Sequence, residues 1–228
     1  MRAILLSAGF GTRLRPLTEK VPKCLISIKG TPLLQLWVEK LYKIGVTEFL
    51  VNTHYLHEQV DTFIKKKLGR FKIKVVYEEK LQGTAGTLFD NLDFIGSSDA
   101  FLLHVDNYCE DDLQNMLITH KNKPQECLMT MLIFQTKKPK QSGIVTLDRI
   151  GKLIGFDEKP ENPKSNLANG AIYFFSNDFT QYLRKMPSAV DFSNEIIPDL
   201  VGRTITYKAK GNFVDIGTVE AYEYANGL

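Results

Sequence analysis

Cysteine is scarce in this 228-residue chain, and the three present, Cys24, Cys109 and Cys127, form no C-x-x-C pair and no metal-ligand spacing. That excludes a disulfide-stapled scaffold and a cysteine-built zinc site. It reads as three reduced thiols in a cytoplasmic protein. The four histidines, His54, His57, His104 and His120, show no metal pattern either, and His104 reads as a core residue. Long hydrophobic runs are also missing: none approaches the roughly 20 residues of a membrane span. The N-terminus has one early Arg and a short apolar run that enters a Gly/Arg segment, which is not the layout of a signal peptide. Charge of one sign is lacking, since 29 Lys and Arg oppose 26 Asp and Glu for a net +3. Such a balance makes no electrostatic case for nucleic acid and suits an anionic small molecule as well. There is no internal repeat and no low-complexity linker. At 43% hydrophobic and 24% charged residues the chain fits one globular domain, with two small ones as the alternative.

What is present begins at once. Ala3 to Leu6 is a continuous apolar run, and a strand buried on both faces is expected over Arg2 to Leu6. It opens into Ser7-Ala8-Gly9-Phe10-Gly11-Thr12, and cations follow at Arg13, Arg15, Lys20 and Lys23. Gly9 and Gly11 permit close backbone approach, and successive N–H groups in such a turn make an anion-binding concavity. Thr31-Pro32 reads as a helix start with Thr31 as N-cap, and Leu33, Leu36, Trp37, Leu41 and Ile44 recur at helical spacing up to Gly45. Strands are expected over 48–52 and 73–77, with a helix over 57–67 between them. The resulting β-α-β-α-β order implies right-handed crossovers and a parallel sheet. Farther on, Gly83-Thr84-Ala85-Gly86 reads as a second small-residue loop leading into a helix over 87–92. Strands are expected over 100–105, 127–134, 144–147, 153–156, 168–175, 205–208 and 213–216. Helices are expected over 111–120, 178–185 and 219–225, and over 192–201 with a break at Pro198.

The first loop lacks the third Gly of a dinucleotide fingerprint, because Leu14 stands there, and Asn52 replaces the acid such a site places at the end of the second strand. The Gly-Lys-Ser/Thr ending of a P-loop is absent as well. A glycine pair alone is as often a structural turn. The full string Gly9-x-Gly11-Thr12-Arg13-Leu14-x-Pro16-Leu17-Thr18, with Pro22-Lys23 after it, is far more specific.

This string resembles the signature of the sugar-1-phosphate nucleotidyltransferases, the nucleotide-sugar pyrophosphorylases. The likeness runs through the chain in order: Gly83-Thr84-Ala85-Gly86 resembles a base-contacting loop in the form seen in mannose-1-phosphate guanylyltransferases. Asp106 resembles the first metal-binding Asp, Glu158-Lys159-Pro160 the sugar-phosphate motif and Asn169-Gly170 the sugar-contacting pair. Phe213 to Thr218 resembles the second metal motif. The resemblance implies a Rossmann-like, three-layer α/β/α domain with a mixed, mostly parallel central sheet. It implies a nucleotide-binding part over about 1–133, a sugar-binding lobe over about 134–212, and a metal motif with a closing helix over 213–228.

It also implies roles. Leu6, Ala8, Gly9, Gly11, Thr12, Arg13, Lys23, Glu79, Gln82, Gly83, Thr84 and Asp106 would meet the nucleotide. Gly143, Glu158, Lys159, Asn169 and Gly170 would meet the sugar phosphate. Asp106 and Asp215 would hold Mg²⁺, and Arg13, Lys23, Asp106 and Asp215 would carry the catalysis. A phosphate nucleophile is already ionised, so no general base is called for; cations and carboxylate-held Mg²⁺ are. Taken singly each residue has a plainer reading: an Asx turn at Asp106, a helix N-terminal acid at Asp215, surface cations at Arg13 and Lys159. The joint occurrence in order favours the site. Two positions depart from the family pattern, Val105 for the usual Gly and Cys24 for a frequent Pro. No β-helix domain is expected after 228, hence no acyltransferase activity. Expected partners are an NTP, GTP first, and a hexose or heptose 1-phosphate, with no nucleic acid or membrane; a homo-oligomer is left open. UTP, CTP or dTTP, a phosphocholine-like acceptor and a silent regulatory homologue are the alternatives.

Overall fold

The computed structural model describes residues 1–228. In chain order the strands are β1 (Arg2–Leu6), β2 (Ser27–Ile28), β3 (Thr31–Pro32), β4 (Glu48–Thr53), β5 (Lys72–Tyr77), β6 (Ala100–His104), β7 (Asn107–Cys109), β8 (Met129–Gln135), β9 (Gly143–Leu147), β10 (Leu153–Glu158), β11 (Leu167–Phe175), β12 (Thr204–Lys208) and β13 (Phe213–Asp215). The helices are α1 (Leu33–Lys43), α2 (His57–Lys67), α3 (Gly83–Asp90), α4 (Leu92–Ile95), α5 (Gln114–Lys121), α6 (Asn177–Leu183) and α7 (Val219–Gly227). The fold is α/β, a mixed sheet with helices. The chain divides into two units. One comprises Met1–Leu81, Leu103–Glu110 and Asn212–Leu228, the other Gln82–Leu102 and Asp111–Gly211.

In the first unit β1, β4 and β5 are parallel neighbours, with Leu6 opposite Asn52 and Asn52 opposite Val76 at their carboxyl ends. Ile4, Leu5, Phe49, Leu50 and Val51 are fully buried, as the continuous apolar runs require. Leu33, Trp37 and Leu41 of α1 are buried as read from the sequence, but Leu34 and Val38 complete the buried face, while Leu36 is only half-buried and Ile44 lies beyond the helix as its half-buried C-cap. Val60 and Ile64 are buried in α2. Thr31 is not an N-cap: Thr31–Pro32 pair with Ser27–Ile28 as a two-residue hairpin, and α1 starts at Leu33. Edge strand β5 exposes Lys72 and Lys74, charges that discourage pairing with another chain. β13 pairs antiparallel with β7, so that Asp215 lies opposite Asn107.

In the second unit β11 runs antiparallel to β8 and β9, β9 antiparallel to β10, and β12 parallel to β8. Its core is aromatic: Phe101 meets Phe174 at 4.6 Å between ring centroids, Tyr173 meets Phe192 at 4.5 Å, and Phe175 meets Phe179 at 4.9 Å. The expected helix over 192–201 is a π-helical turn at Phe192–Ile196 followed by a 3₁₀ turn at Pro198–Leu200. The cause is Pro198, which has no N–H to continue the ladder.

One buried titratable group in this unit has a measurable consequence. His120 is 6% exposed, and its Nδ1 lies 2.8 Å from Thr130 Oγ1 while Nε2 is buried without a partner. Burial, with a smaller contribution from Lys123, lowers its pKa from 6.5 to about 4. The unfolded chain therefore binds the proton at higher pH than the folded one. Stability is complete above pH 6.5 and falls as pH drops towards 4, by about 2 kcal/mol at pH 5. Urea denaturation at pH 7 and pH 5 checks this, and the His120→Gln variant should lose that part of the acid sensitivity.

Candidate active site

The first unit gathers cations and carboxylates at the carboxyl ends of its strands, where open α/β sheets bind ligands. After β1 the chain turns through residues 7–11 into a 3₁₀ turn at Thr12–Leu14, anchored by Leu14 N–H to the Gly11 carbonyl. Gly11 has φ +65°, and the Thr18 hydroxyl donates to its carbonyl at 2.7 Å. The N–H groups of Ala8, Gly9, Gly11 and Arg13 donate to no protein acceptor. Gly9, Thr12 and Arg13 are exposed, Leu6 is half-buried and Ala8 is buried.

The Lys23 ammonium donates to Asp106 Oδ2. Asp106 follows β6, and its carbonyl takes the Ile216 N–H at 2.9 Å, which ties the end of β6 to the segment beyond β13. The guanidinium of Arg13 and the carboxylate of Asp215 both face Gly217. A Cβ on that glycine would lie 3.2 Å from the guanidinium and 3.3 Å from the nearer carboxylate oxygen. Arg13, Lys23, Asp106 and Asp215, far apart in sequence, thus share one place, with His104 beside them.

Electrostatics follow from that crowding. Burial pushes the Asp106 carboxyl up, yet the positive charges of Lys23 and His104 outweigh it, and its pKa is lowered. The Asp215 pKa is raised, first because protein encloses much of the group, then because Asp106 repels its charge; Lys23 and Arg13 offset this only in part. Its outer face nonetheless stays open to solvent. The Cys24 thiol is pushed up to about 12 by burial, so it remains protonated and serves as no nucleophile.

Glu79, the remaining first-unit candidate, is exposed just past β5. Sequence reasoning passed over its neighbour. Glu78 is 6% exposed and accepts from Asn52 Nδ2 at 2.9 Å, and Asn52 Oδ1 takes the Ser7 N–H at 2.7 Å. A polar pair at two adjacent strand ends was the only signal available for it.

The second unit holds the other candidates. Gly83-Thr84-Ala85-Gly86 is not a loop but the first turn of α3, with exposed Gln82 as its N-cap. Gly83 has φ +79°, and a Cβ there would sit 2.3 Å from the Val190 carbonyl oxygen, which also accepts the Ala85 N–H at 3.0 Å. The Thr84 hydroxyl accepts the Phe192 N–H at 2.8 Å. These residues secure the 190–192 segment. Gly143 lies opposite Glu158 in the β9–β10 ladder, and the Glu158 side chain crosses it: a Cβ at 143 would stand 2.6 Å from Glu158 Oε2. Lys159, in a left-handed conformation at φ +46°, places its ammonium 3.4 Å from Glu158 Oε1. Asn169 donates to the Tyr173 hydroxyl at 2.7 Å and accepts the Ala171 N–H at 2.9 Å, across an irregular stretch of β11 that includes Gly170. Glu158, Lys159 and Asn169 therefore carry defined contacts within one unit.

The profile of the nucleotidyl transferase family matches residues 2–227, nearly the entire chain. The chain belongs to the nucleotidyl transferase family. It is 31% identical over 225 residues to mannose-1-phosphate guanyltransferase beta-B of Xenopus laevis, covering 95% of this chain and 61% of that protein. It is 28% identical over 235 residues to the mannose-1-phosphate guanylyltransferase catalytic subunit beta of Dictyostelium discoideum, covering 100% of this chain and 64% of that one. With the bifunctional protein GlmU of Methanocaldococcus jannaschii it shares 36% identity over 186 residues, 81% of this chain and 42% of the other. The chain thus spans about three fifths of the length of the curated guanylyltransferases it matches. A Bacillus anthracis structure assigned as a glucose-1-phosphate thymidylyltransferase superposes with a TM-score of 0.85 at 23% identity. It covers 100% of this chain and 94% of the other, which establishes the shared fold.

The family generally uses a divalent metal, and the residues present fit one. No cluster of three or more His, Cys, Asp and Glu exists that would cage an ion with protein ligands alone. Asp106 and Asp215 form a pair whose mutual repulsion shows in the raised pKa of Asp215. Two neighbouring carboxylates suit a hard divalent cation, which takes oxygen ligands.

Proposed function

We propose that this chain catalyses Mg²⁺-dependent transfer of a nucleotidyl group from an NTP, GTP foremost, to a hexose or heptose 1-phosphate in the cytoplasm, giving an NDP-sugar and pyrophosphate. The observation that carries the reading is the convergence of Arg13, Lys23, Asp106 and Asp215 beside a loop in which the N–H groups of Ala8, Gly9, Gly11 and Arg13 have no protein acceptor. A phosphate oxygen of the sugar attacks the α-phosphorus, one P–O bond forms, and the bond to the departing pyrophosphate breaks. The nucleophile is already ionised, so the protein must offset repulsion between anions and stabilise charge on the leaving group.

Each residue then has a task. The N–H groups of Ala8, Gly9 and Gly11 cradle phosphate oxygens, aided by the adjoining Leu6 and Thr12. The Arg13 fork grips the β- and γ-phosphates, and Lys23 neutralises the α-phosphate. Asp106 and Asp215 hold Mg²⁺, which when bound adds positive charge against the phosphates. Glu79, Gln82, Gly83 and Thr84 face the base. Guanine is favoured because the Xenopus and Dictyostelium relatives are named for guanylyl transfer to mannose 1-phosphate. Lys159 would bind the sugar phosphate, and Gly143, Glu158, Asn169 and Gly170 would meet the sugar hydroxyls.

The test is a matrix of four NTPs against a panel of sugar 1-phosphates, with phosphocholine added, read by pyrophosphate release. Release with GTP and mannose or heptose 1-phosphate is expected; no release with any pair overturns the reading. Lys159→Ala should raise the KM for the sugar phosphate by about 10- to 100-fold, the worth of a charge-assisted hydrogen bond, and leave the KM for the NTP unchanged. An effect confined to the NTP would mean that the two phosphate sites are exchanged.

A further inference from the structure

The parallel ladder between β1 and β4 ends at Leu6 opposite Asn52, and Ser7 is the first residue beyond it. Ser7 is nevertheless held at two points by one residue. Its N–H donates to Asn52 Oδ1 at 2.7 Å, and its hydroxyl donates to the Asn52 main-chain oxygen. Glu78 sets the orientation of the Asn52 amide: because Nδ2 donates to Glu78 Oε1 at 2.9 Å, Oδ1 is the atom turned to Ser7. Glu78 is itself fixed, its N–H donating to the Thr53 carbonyl at 2.8 Å and its carbonyl accepting from His54 Nδ1 at 2.7 Å. Asn52 and Glu78 are 4% and 6% exposed. Charged and amide side chains are seldom buried this deeply unless their hydrogen bonds are needed.

We propose that Asn52, oriented by Glu78, is a positioning residue that holds the phosphate loop open for anion binding. The inference rests on the nucleotide reading above and goes beyond it to what makes the loop work. Holding both the N–H and the hydroxyl of Ser7 restricts its backbone torsions, and these set the direction of the Ala8 N–H that follows. A cradle of N–H groups binds phosphate well only when the dipoles are aimed before the ligand arrives, since reorientation would be charged against binding. Asn suits the position because it both accepts from Ser7 and donates to Glu78. An acid there would face the Glu78 carboxylate, and an apolar residue would leave the Ser7 N–H and Glu78 buried with lost partners.

The decisive experiment measures binding of GTP, UTP, CTP and dTTP with Mg²⁺ by calorimetry to the full chain and to Asn52→Leu, together with steady-state kinetics for both substrates. Asn52→Leu should bind the NTP preferred by the wild type about 10-fold more weakly and raise its KM in step. The KM for the sugar phosphate should stay within twofold. A merely structural role would lower the melting temperature and leave that split absent. Glu78→Gln keeps an acceptor for Asn52 and should retain affinity within a few fold, whereas Glu78→Leu should lose it like Asn52→Leu. If Asn52→Leu does not fold, the Glu78 pair decides. Unchanged NTP affinity in a folded Asn52→Leu or Glu78→Leu overturns the proposal. If the wild type binds no NTP at all, the nucleotide reading fails first, and the clamp with it.

Discussion

Asp215→Ala should lower kcat by about 10³-fold, the upper range for loss of one preorganised electrostatic group, while the protein melts no earlier than the wild type. Both expectations have one cause. Partial desolvation of Asp215 and the nearby charge of Asp106 raise its pKa above the ordinary carboxylate value, although one side of the residue stays open to solvent. A carboxyl whose folded pKa is raised contributes stability below its unfolded pKa and loses that contribution as pH rises through the folded pKa. At neutral pH its charge therefore adds nothing to the stability of the fold, and solvent screening keeps any penalty small. Removing it relieves repulsion and removes half of the proposed metal pair. Single-turnover kinetics and a thermal scan on the same sample decide the matter. Normal turnover would end the metal assignment, and a large fall in melting temperature would make Asp215 a structural residue.

Lys23→Gln is the second large effect, expected to lower kcat by about 10²-fold or more with a changed pH profile. Lys23 donates to Asp106, and its charge favours the ionised form of both Asp106 and Asp215. Without it the pKa of each carboxyl rises. The acid limb of the rate profile should therefore move to higher pH, so that residual activity improves on going from pH 6 to pH 8 more than in the wild type. Glutamine is one bond shorter but keeps an N–H donor, so the main change is loss of the charge. A profile shaped like the wild type at reduced amplitude would separate Lys23 from the carboxylates and count against their acting as one cluster.

Much of the fold was legible because burial leaves periodic marks. The run at 2–6 is a strand buried at its centre, the strand expected over 48–52 is found at 48–53, and the spacing of Leu33, Trp37 and Leu41 is the inner face of α1. The misreadings lie where local composition is ambiguous. Gly83 to Gly86 looks like a loop because glycine disfavours helices, but close packing on Val190 demands glycine at 83, and that packing outweighs the propensity. Thr31-Pro32 carries the marks of a helix start, yet pairing with Ser27–Ile28 claims those residues first. Tertiary contacts override propensities worth under 1 kcal/mol per residue.

The order of motifs along the chain was sufficient, by itself, to determine the family. The residue types at those positions, glycines, cations and carboxylates, are legible without coordinates. Only the tertiary structure decided that Lys23 and Asp106, 83 positions apart, share a hydrogen bond, and that Arg13 and Asp215 converge on Gly217. It alone revealed that Asn52, in sequence merely the missing acid of another fold, reaches back to Ser7. The physical reason is distance: charge and hydrogen bonding act over a few ångströms. Which groups lie that close is set by strand register and by the turns after β1, β4 and β6.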